Sequence, residues 1–428
     1  MTIFHKTIFT GFAPNLTGRD ALTALAYLVL SWRWGKILSG HYPRLAEEKL
    51  RRYFKVSHAY TFDSGRSALY YGLKALGAGK GDEILVQTYT CVVVINAIKW
   101  TGAKPVFVDV GDDFNINPAS LETRLTAKSK ILIIQHTFGL PAKLDEILAI
   151  AKNHNLKVIE DCAHSLGARY RGRLTGTFGD LGMLSFGSDK IISSARGGAL
   201  ITDDQALGQK IYELASELPR PNLPKTIQHL WHFPIFYIAK PIYHLFIGKF
   251  ILISAKKLNI FNKIIYKNEK IGEPVKFYPS KLTNALAHIL NFQLDEIDKL
   301  NRHRQTIAKF YNEHLNNDNI VIPAKACLSG RQAGIQNFEN SIYLRYPLLT
   351  DRPKELMSYA KKRGIILGDW YNSVIAPKDI DLKETGYQAG ECPNAESLAA
   401  QSVNLPTDRQ IMEKQALRII DVINSFIT

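Results

Sequence analysis

The sequence predicts an α/β protein: a large domain around a mainly parallel sheet, followed by a smaller C-terminal α+β domain. Three observations carry this. Between residues 60 and 205, short apolar runs of strand length alternate with helical patterns. Beyond residue 278 the alternation gives way to long helical stretches, then to a short mixed pattern. A chain of 428 residues is long for one core and suits a large unit plus a smaller one.

Residues 1–50 read as an N-terminal arm and helix. The apolar run Ala21 to Leu30 is too short to cross a bilayer, follows Asp20 and lacks a small-residue cleavage site, so a helix packed on the surface is expected. Residues 51–217 form the large domain. Its expected strands are Ile84–Gln87, Pro105–Val110, Ile131–Gln135, Val158–Asp161, Gly182–Phe186 and Ala199–Thr202, apolar enough to be buried on both faces. Leu69, Leu73 and Leu76 share one helical face, with Ser64 placed to cap that helix. Ile147, Leu148 and Ala151 mark another helix, and 206–217 a further one.

Residues 218–277 read as a basic, aromatic insertion. Residues 278–428 hold a long helical stretch from Leu282 to Phe310 and the small domain. The small domain should contain a strand over Ser341–Leu349, a helix over Lys354–Arg363 and a last helix near Ile411–Phe426.

Hydrophobic residues make up 46% and charged residues 22%, the balance of a soluble globular protein. Cys91, Cys162, Cys327 and Cys392 are scattered, with no metal-ligand spacing, which points to a reducing compartment such as the cytoplasm. No metal site is expected. The formal charge is +15, and eight Lys or Arg with no Asp or Glu fall between Leu218 and Asn268. No nucleic-acid-binding signature accompanies that charge, so a nucleic-acid partner is not expected.

Three motifs carry chemistry. Ser185-Phe186-Gly187-Ser188-Asp189-Lys190 places a lysine in a small, polar loop after a strand, and Gly197-Gly198 leads into the next strand. A lysine amine attacks a carbonyl only when deprotonated, which a desolvated or cationic setting favours. Val158-Ile159-Glu160-Asp161-Cys162-Ala163-His164 ends a strand in two carboxylates, where open α/β sheets bind ligands. Asp161 is the one expected to face the site. Phe62-Asp63-Ser64-Gly65-Arg66-Ser67 opens a helix with free backbone N–H groups, a setting for phosphate to which Arg66 adds a bidentate grip. Taken singly, each has an ordinary reading: an exposed lysine, a capping aspartate, a Ser-Gly helix start. Together they supply what pyridoxal phosphate needs: a phosphate site, a carboxylate for its ring nitrogen and an amine for its carbonyl.

The chain resembles the DegT/DnrJ/EryC1/StrS family of sugar aminotransferases. The resemblance rests on Ser64-Gly65-Arg66-Ser67-Ala68-Leu69, Gly77 to Asp82, Gly102 to Asp109 and His136 to Gly139. It continues through Ile159 to His164, Gly176 to Asp180, Ser185-Phe186 with Lys190, and Cys392-Pro393-Asn394-Ala395-Glu396. It implies the aspartate-aminotransferase-like architecture, fold type I of the pyridoxal-phosphate enzymes. It implies Lys190 as the covalent anchor and proton shuttle, Asp161 as partner of the pyridine nitrogen, and His164 near the phenolic oxygen. Ser185 and the Gly65-Arg66 turn would hold the phosphate. Family members work as homodimers and pass an amino group, usually from glutamate, to a keto-sugar, commonly nucleotide-linked, in amino-sugar and surface-polysaccharide biosynthesis.

The chain also departs from the family pattern. Cys91 stands where an aromatic residue usually stacks on the ring, with Tyr89 nearby but offset. The glycine turn after the lysine is one residue shorter and reads Ala195-Arg196-Gly197-Gly198. An Asn that reaches the partner subunit's phosphate in the family corresponds to Pro279-Ser280-Lys281-Leu282 here.

A sugar dehydratase on the same fold is one alternative, and Lys190 argues against it, since such relatives carry His there. A non-catalytic, membrane-associated protein is another, opposed by retention of Lys190, Asp161 and Ser185. For residues 228–268 two readings stand side by side. Interspersed rings and lysines suit a peripheral membrane contact, and equally an insert packed on the protein's own dimer surface. Pro234 and Pro241 are expected to break any single helix there.

Overall fold

The computed structural model describes residues 6–426 except 12, 262, 318–319 and 324–339, so Cys327 lies outside the described residues. A seven-stranded sheet forms the centre. Its strands are β1 (His58–Phe62), β2 (Glu83–Gln87), β3 (Lys104–Val108), β4 (Ser129–Gln135), β5 (Lys157–Asp161), β6 (Leu181–Ser185) and β7 (Gly198–Thr202). They lie in the order β1-β7-β6-β5-β4-β2-β3. Only β7 runs antiparallel to its neighbours, pairing Gly198 with Ser185 on one side and with Phe62 on the other. All six expected strands are present, shifted by one or two residues at their ends. Strand β1 was not singled out in the sequence; its signal is the buried Ala59, Thr61 and Phe62 within a short β-prone run.

Ile131 to Ile134 of β4 are buried on both faces, as a parallel sheet covered by helices requires. Helix α1 (Gly18–Val29) begins at Thr17, whose side chain and that of Asp20 cap each other's backbone N–H groups. It buries Ala21, Ala24 and Tyr27 while Leu22 and Val29 face outward. Helix α2 (Gly65–Ala75) starts at Ser64, whose hydroxyl accepts from the Ser67 N–H at 3.3 Å.

The basic segment folds as helix α3 (Leu223–Ala239), a short turn, helix α4 (Ile247–Lys257) and a small helical turn at Lys267–Lys270. Pro234 does not break α3, which runs through it and stops at Ala239, ahead of Pro241. Leu230 and Phe233 on one side of the proline, and Phe236 and Ala239 on the other, are buried in apolar clusters. That burial holds the helix across the lost hydrogen bond. Among the described residues no helix is long and apolar enough to cross a membrane.

Two helices, Asn284–Leu294 and Ile297–His314, lead to the small domain. There Tyr346–Leu349 pairs antiparallel with Ser402–Leu405. The expected strand from Ser341 is shorter than predicted. Ile342 and Leu344 instead donate to the carbonyls of Gly139 and Phe138, at 3.1 and 2.8 Å, joining the small domain to a loop of the large one.

Candidate active site

The C-terminal ends of β5 and β6 and the start of α2 open into one cavity of about 1060 Å³. The cavity is lined by Ser64, Gly65, Arg66, Cys91, Asp161, His164, Ser185 and Lys190, so the residues expected to bind the cofactor border one space, while Tyr89 and Glu160 do not line it. Sheet register explains the convergence. Met183 of β6 pairs with Asp161, and Ser185 pairs with Gly198, which abuts Ser64 and Gly65.

Lys190 lies in a loop closed at its base by Phe186 N–H to Gly197 O at 2.8 Å and Ser194 N–H to Phe186 O at 3.0 Å. The Asn15 amide clamps that loop, donating to the carbonyls of Lys190 and Ile191 at 2.7 and 2.6 Å. Burial, supported by the like charge of Arg345, holds the amine down to about 8, while Asp161 and Cys91 pull the other way. A free amine is thereby accessible near neutral pH.

The paired carboxylates of β5 divide their roles. Glu160 is fully buried and accepts from the backbone N–H groups of Gly176, Phe178 and Gly179 at 2.8, 2.5 and 2.9 Å. His136 Nε2 lies 3.1 Å from it. Glu160 therefore holds a turn behind the sheet. Asp161, on the other face, accepts from the Ala163 N–H at 2.9 Å and lines the cavity. Burial raises its carboxyl above the ordinary range, opposed by that hydrogen bond and by the charges of Lys190 and His136.

His164 is buried, and burial keeps its imidazole well below the usual range, hence neutral. Its Nδ1 faces the Phe138 N–H at 3.4 Å, which assigns the Nε2–H to donate to the Tyr371 hydroxyl at 3.2 Å. Trp370 stacks on His164 with centroids 5.3 Å apart and planes 14° apart, and its ring lies 5.0 Å from Lys190 Nζ. Sequence reading missed Trp370, Tyr371 and Asn15; no local motif marks them. Tyr89 is fully buried, and its hydroxyl accepts from the Tyr371 N–H at 3.1 Å, so it supports the site from below. Cys91 borders the cavity at the end of a strand bridge to Ala376.

At the start of α2, a Cβ placed on Gly65 would sit 2.8 Å from Ser185 Cβ and 2.9 Å from its Oγ. Glycine is thus what lets the helix N-terminus and the Ser185 hydroxyl border one small cradle. Cradle, carboxylate and amine share one cavity, so these residues fit pyridoxal phosphate. Arg66 is placed differently from the expectation that its side chain grips phosphate. Its guanidinium pairs with buried Glu269 and donates to the Ile264 carbonyl at 2.8 Å.

The basic segment forms the outer wall. Phe236, Leu252, Phe261 and Ile265 line the cavity together with Lys249, Lys256, Lys263 and Lys267.

The model of the DegT/DnrJ/EryC1/StrS aminotransferase family matches residues 23–222 and 256–424, leaving all of α3 and most of α4 outside. GDP-perosamine synthase of Escherichia coli O157:H7 is 37% identical over 197 residues, covering 46% of this chain and 53% of that protein. UDP-N-acetyl-3-dehydro-alpha-D-glucosamine 3-aminotransferase of Acidithiobacillus ferrooxidans is 28% identical over 398 residues, 91% of each chain. Among solved structures, the aminotransferase TlmJ from Streptoalloteichus hindustanus superposes with a TM-score of 0.74 at 21% identity, covering 98% of both chains. That likeness speaks to the fold.

Proposed function

Because the chain belongs to the DegT/DnrJ/EryC1/StrS aminotransferase family, we propose that it transfers an amino group, with glutamate as donor, to a keto-sugar carried on a nucleoside diphosphate. The carrying observation is the Lys190 amine and the Asp161 carboxylate in one cavity with the N-terminus of α2. Bound pyridoxal phosphate supplies a carbonyl and an electron-withdrawing ring. Lys190 would anchor it and, once freed, serve as the base and acid for the proton at the reacting carbon. Asp161 would pair its carboxylate with the ring nitrogen, and His164 would offer a neutral imidazole beside the phenolic oxygen. Ser64, Gly65 and Ser185 would hold the phosphate, with the Trp370 ring beside the lysine.

The mouth supports an anionic acceptor. Four lysines of the basic segment share its wall with apolar side chains, which suits the diphosphate of a carrier-linked sugar and its base. We take residues 51–217 as the cofactor domain, 218–277 as an insertion that walls the acceptor site, and 278–428 as the long helices and small domain. The working unit is a homodimer in the cytoplasm. A peripheral membrane contact of the insertion is a second reading. It is favoured by Tyr237, Ile238, Phe246, Ile247 and Phe250, all exposed beside Lys249 and Lys257.

The test charges the protein with the amine form of the cofactor and offers keto-sugars with and without a nucleoside diphosphate, followed by absorbance. Return of the carbonyl form with the diphosphate-linked sugars is expected. No amino transfer to any keto-sugar would overturn the reading. Sedimentation with anionic liposomes at low salt tests the second reading, which lapses if the protein stays in solution.

A further inference from the structure

Arg196 is buried to 4% exposure, yet its Nε and Nη2 find no hydrogen-bond partner among the described residues. The nearest carboxylate oxygen, Asp63 Oδ2, is 4.0 Å from Nε, an ion pair without a hydrogen bond. The guanidinium lies 4.6 Å from the Tyr278 ring centroid and 5.7 Å from that of Phe277, and it also acts on the Tyr278 hydroxyl, a neutral group that does not balance its charge. A buried charge with unmade hydrogen bonds is costly until a ligand or an ordered water completes them.

The position names the partner. Arg196 borders the cavity together with Ser64, Gly65 and Ser185. Two residues on, Gly198 packs so tightly on the α2 N-terminus that a Cβ there would lie 2.5 Å from the Gly65 nitrogen. The cradle itself is neutral, and the other arginine at this end, Arg66, is tied to Glu269 and to the Ile264 carbonyl. A phosphate dianion in that cradle needs a charge-assisted donor.

We propose that Arg196 is the cationic ligand of the cofactor's phosphate, supplied within one chain where the family pattern takes an Asn from the partner subunit. The inference rests on the cofactor reading above. The fixed fork of the guanidinium offers two N–H donors to two phosphate oxygens. Its attachment to the shortened glycine turn, six residues after Lys190 by the numbering, ties phosphate grip and covalent anchor to one loop.

The test compares pyridoxal phosphate with pyridoxal, which lacks the phosphate ester, in absorbance titrations of the cofactor-free protein. Arg196→Met should weaken pyridoxal phosphate binding by roughly ten- to hundredfold, the loss expected for a hydrogen bond to a charged group. Pyridoxal binding should be unchanged. Arg196→Lys keeps a charge beside Asp63 and should fall between, and it serves if the Met variant does not fold. An unaltered ratio of the two affinities in a folded variant, or a lower melting temperature alone, overturns the proposal and leaves Arg196 as a partner of Asp63. Should the unsubstituted chain bind neither compound at Lys190, the cofactor reading fails, and this inference with it.

Discussion

Arg66 and Glu269 are 203 residues apart in sequence and form a buried ion pair, with side chains 10% and 0% exposed. The pair locks the first turn of α2, at the rim of the cavity, to the end of the basic segment. Glu269 also carries the contact to the cofactor domain through its carbonyl, which accepts from Asn96 Nδ2 at 2.7 Å.

Breaking that pair should be expensive, because it leaves a buried arginine uncompensated. Glu269→Gln is expected to lower stability by about 3 kcal/mol, the lower end of the range for a severed buried pair. Urea unfolding followed by circular dichroism measures it. A change below about 1 kcal/mol, the range of exposed pairs, would show that solvent reaches Arg66 in the folded protein.

Lys190→Ala should abolish turnover and leave a chain that still takes up the cofactor through its phosphate. Borohydride treatment of the unsubstituted holoenzyme should fix label on the peptide containing Lys190. Label on another lysine would remove Lys190 from its role. The amine's position near 8 also sets a pH dependence. A lowered lysine value means the reactive free base is the major form above about pH 8 and falls tenfold per unit below it. Attachment of cofactor to the cofactor-free protein, timed by stopped-flow absorbance, should rise with pH and level off beyond that point.

Asp161→Asn keeps the size of the side chain and removes its charge. Turnover should fall by roughly two decades, as when a preorganised charged partner is lost. The same substitution removes the charge that raises the Lys190 value. The attachment profile should therefore move to lower pH. A slow variant with an unmoved profile would place the Asp161 charge away from the lysine.

Gly65→Ala places a Cβ within 2.8 Å of Ser185 Cβ, so the helix start must shift. Overpacking of this kind costs about 1–3 kcal/mol, and cofactor affinity should drop with it. Adding Ser185→Gly removes the clash. Thermal stability should then recover while cofactor affinity stays low, because the hydroxyl is gone. A Gly65→Ala chain with native stability and affinity would contradict the close approach.

The sequence by itself determined six of the seven sheet strands, the capped helix after Ser64 and the three motifs that meet in the cavity. These are local or periodic properties: apolar runs, a serine before a helix, a lysine between a strand and a glycine pair. It did not determine which carboxylate of Glu160-Asp161 serves the site on geometric grounds. Neighbouring residues on a strand face opposite sides, and the turn at Gly176–Gly179 claims Glu160 only once the chain is folded. Tertiary structure alone brought Trp370 over Lys190, turned Arg66 toward Glu269 and placed Arg196 on the border of the cavity. It also carried α3 through Pro234, because aromatic burial on both sides outweighs one missing hydrogen bond. Each of these depends on contacts between residues remote in sequence, where side-chain type fixes what a group can do and only packing fixes what it meets.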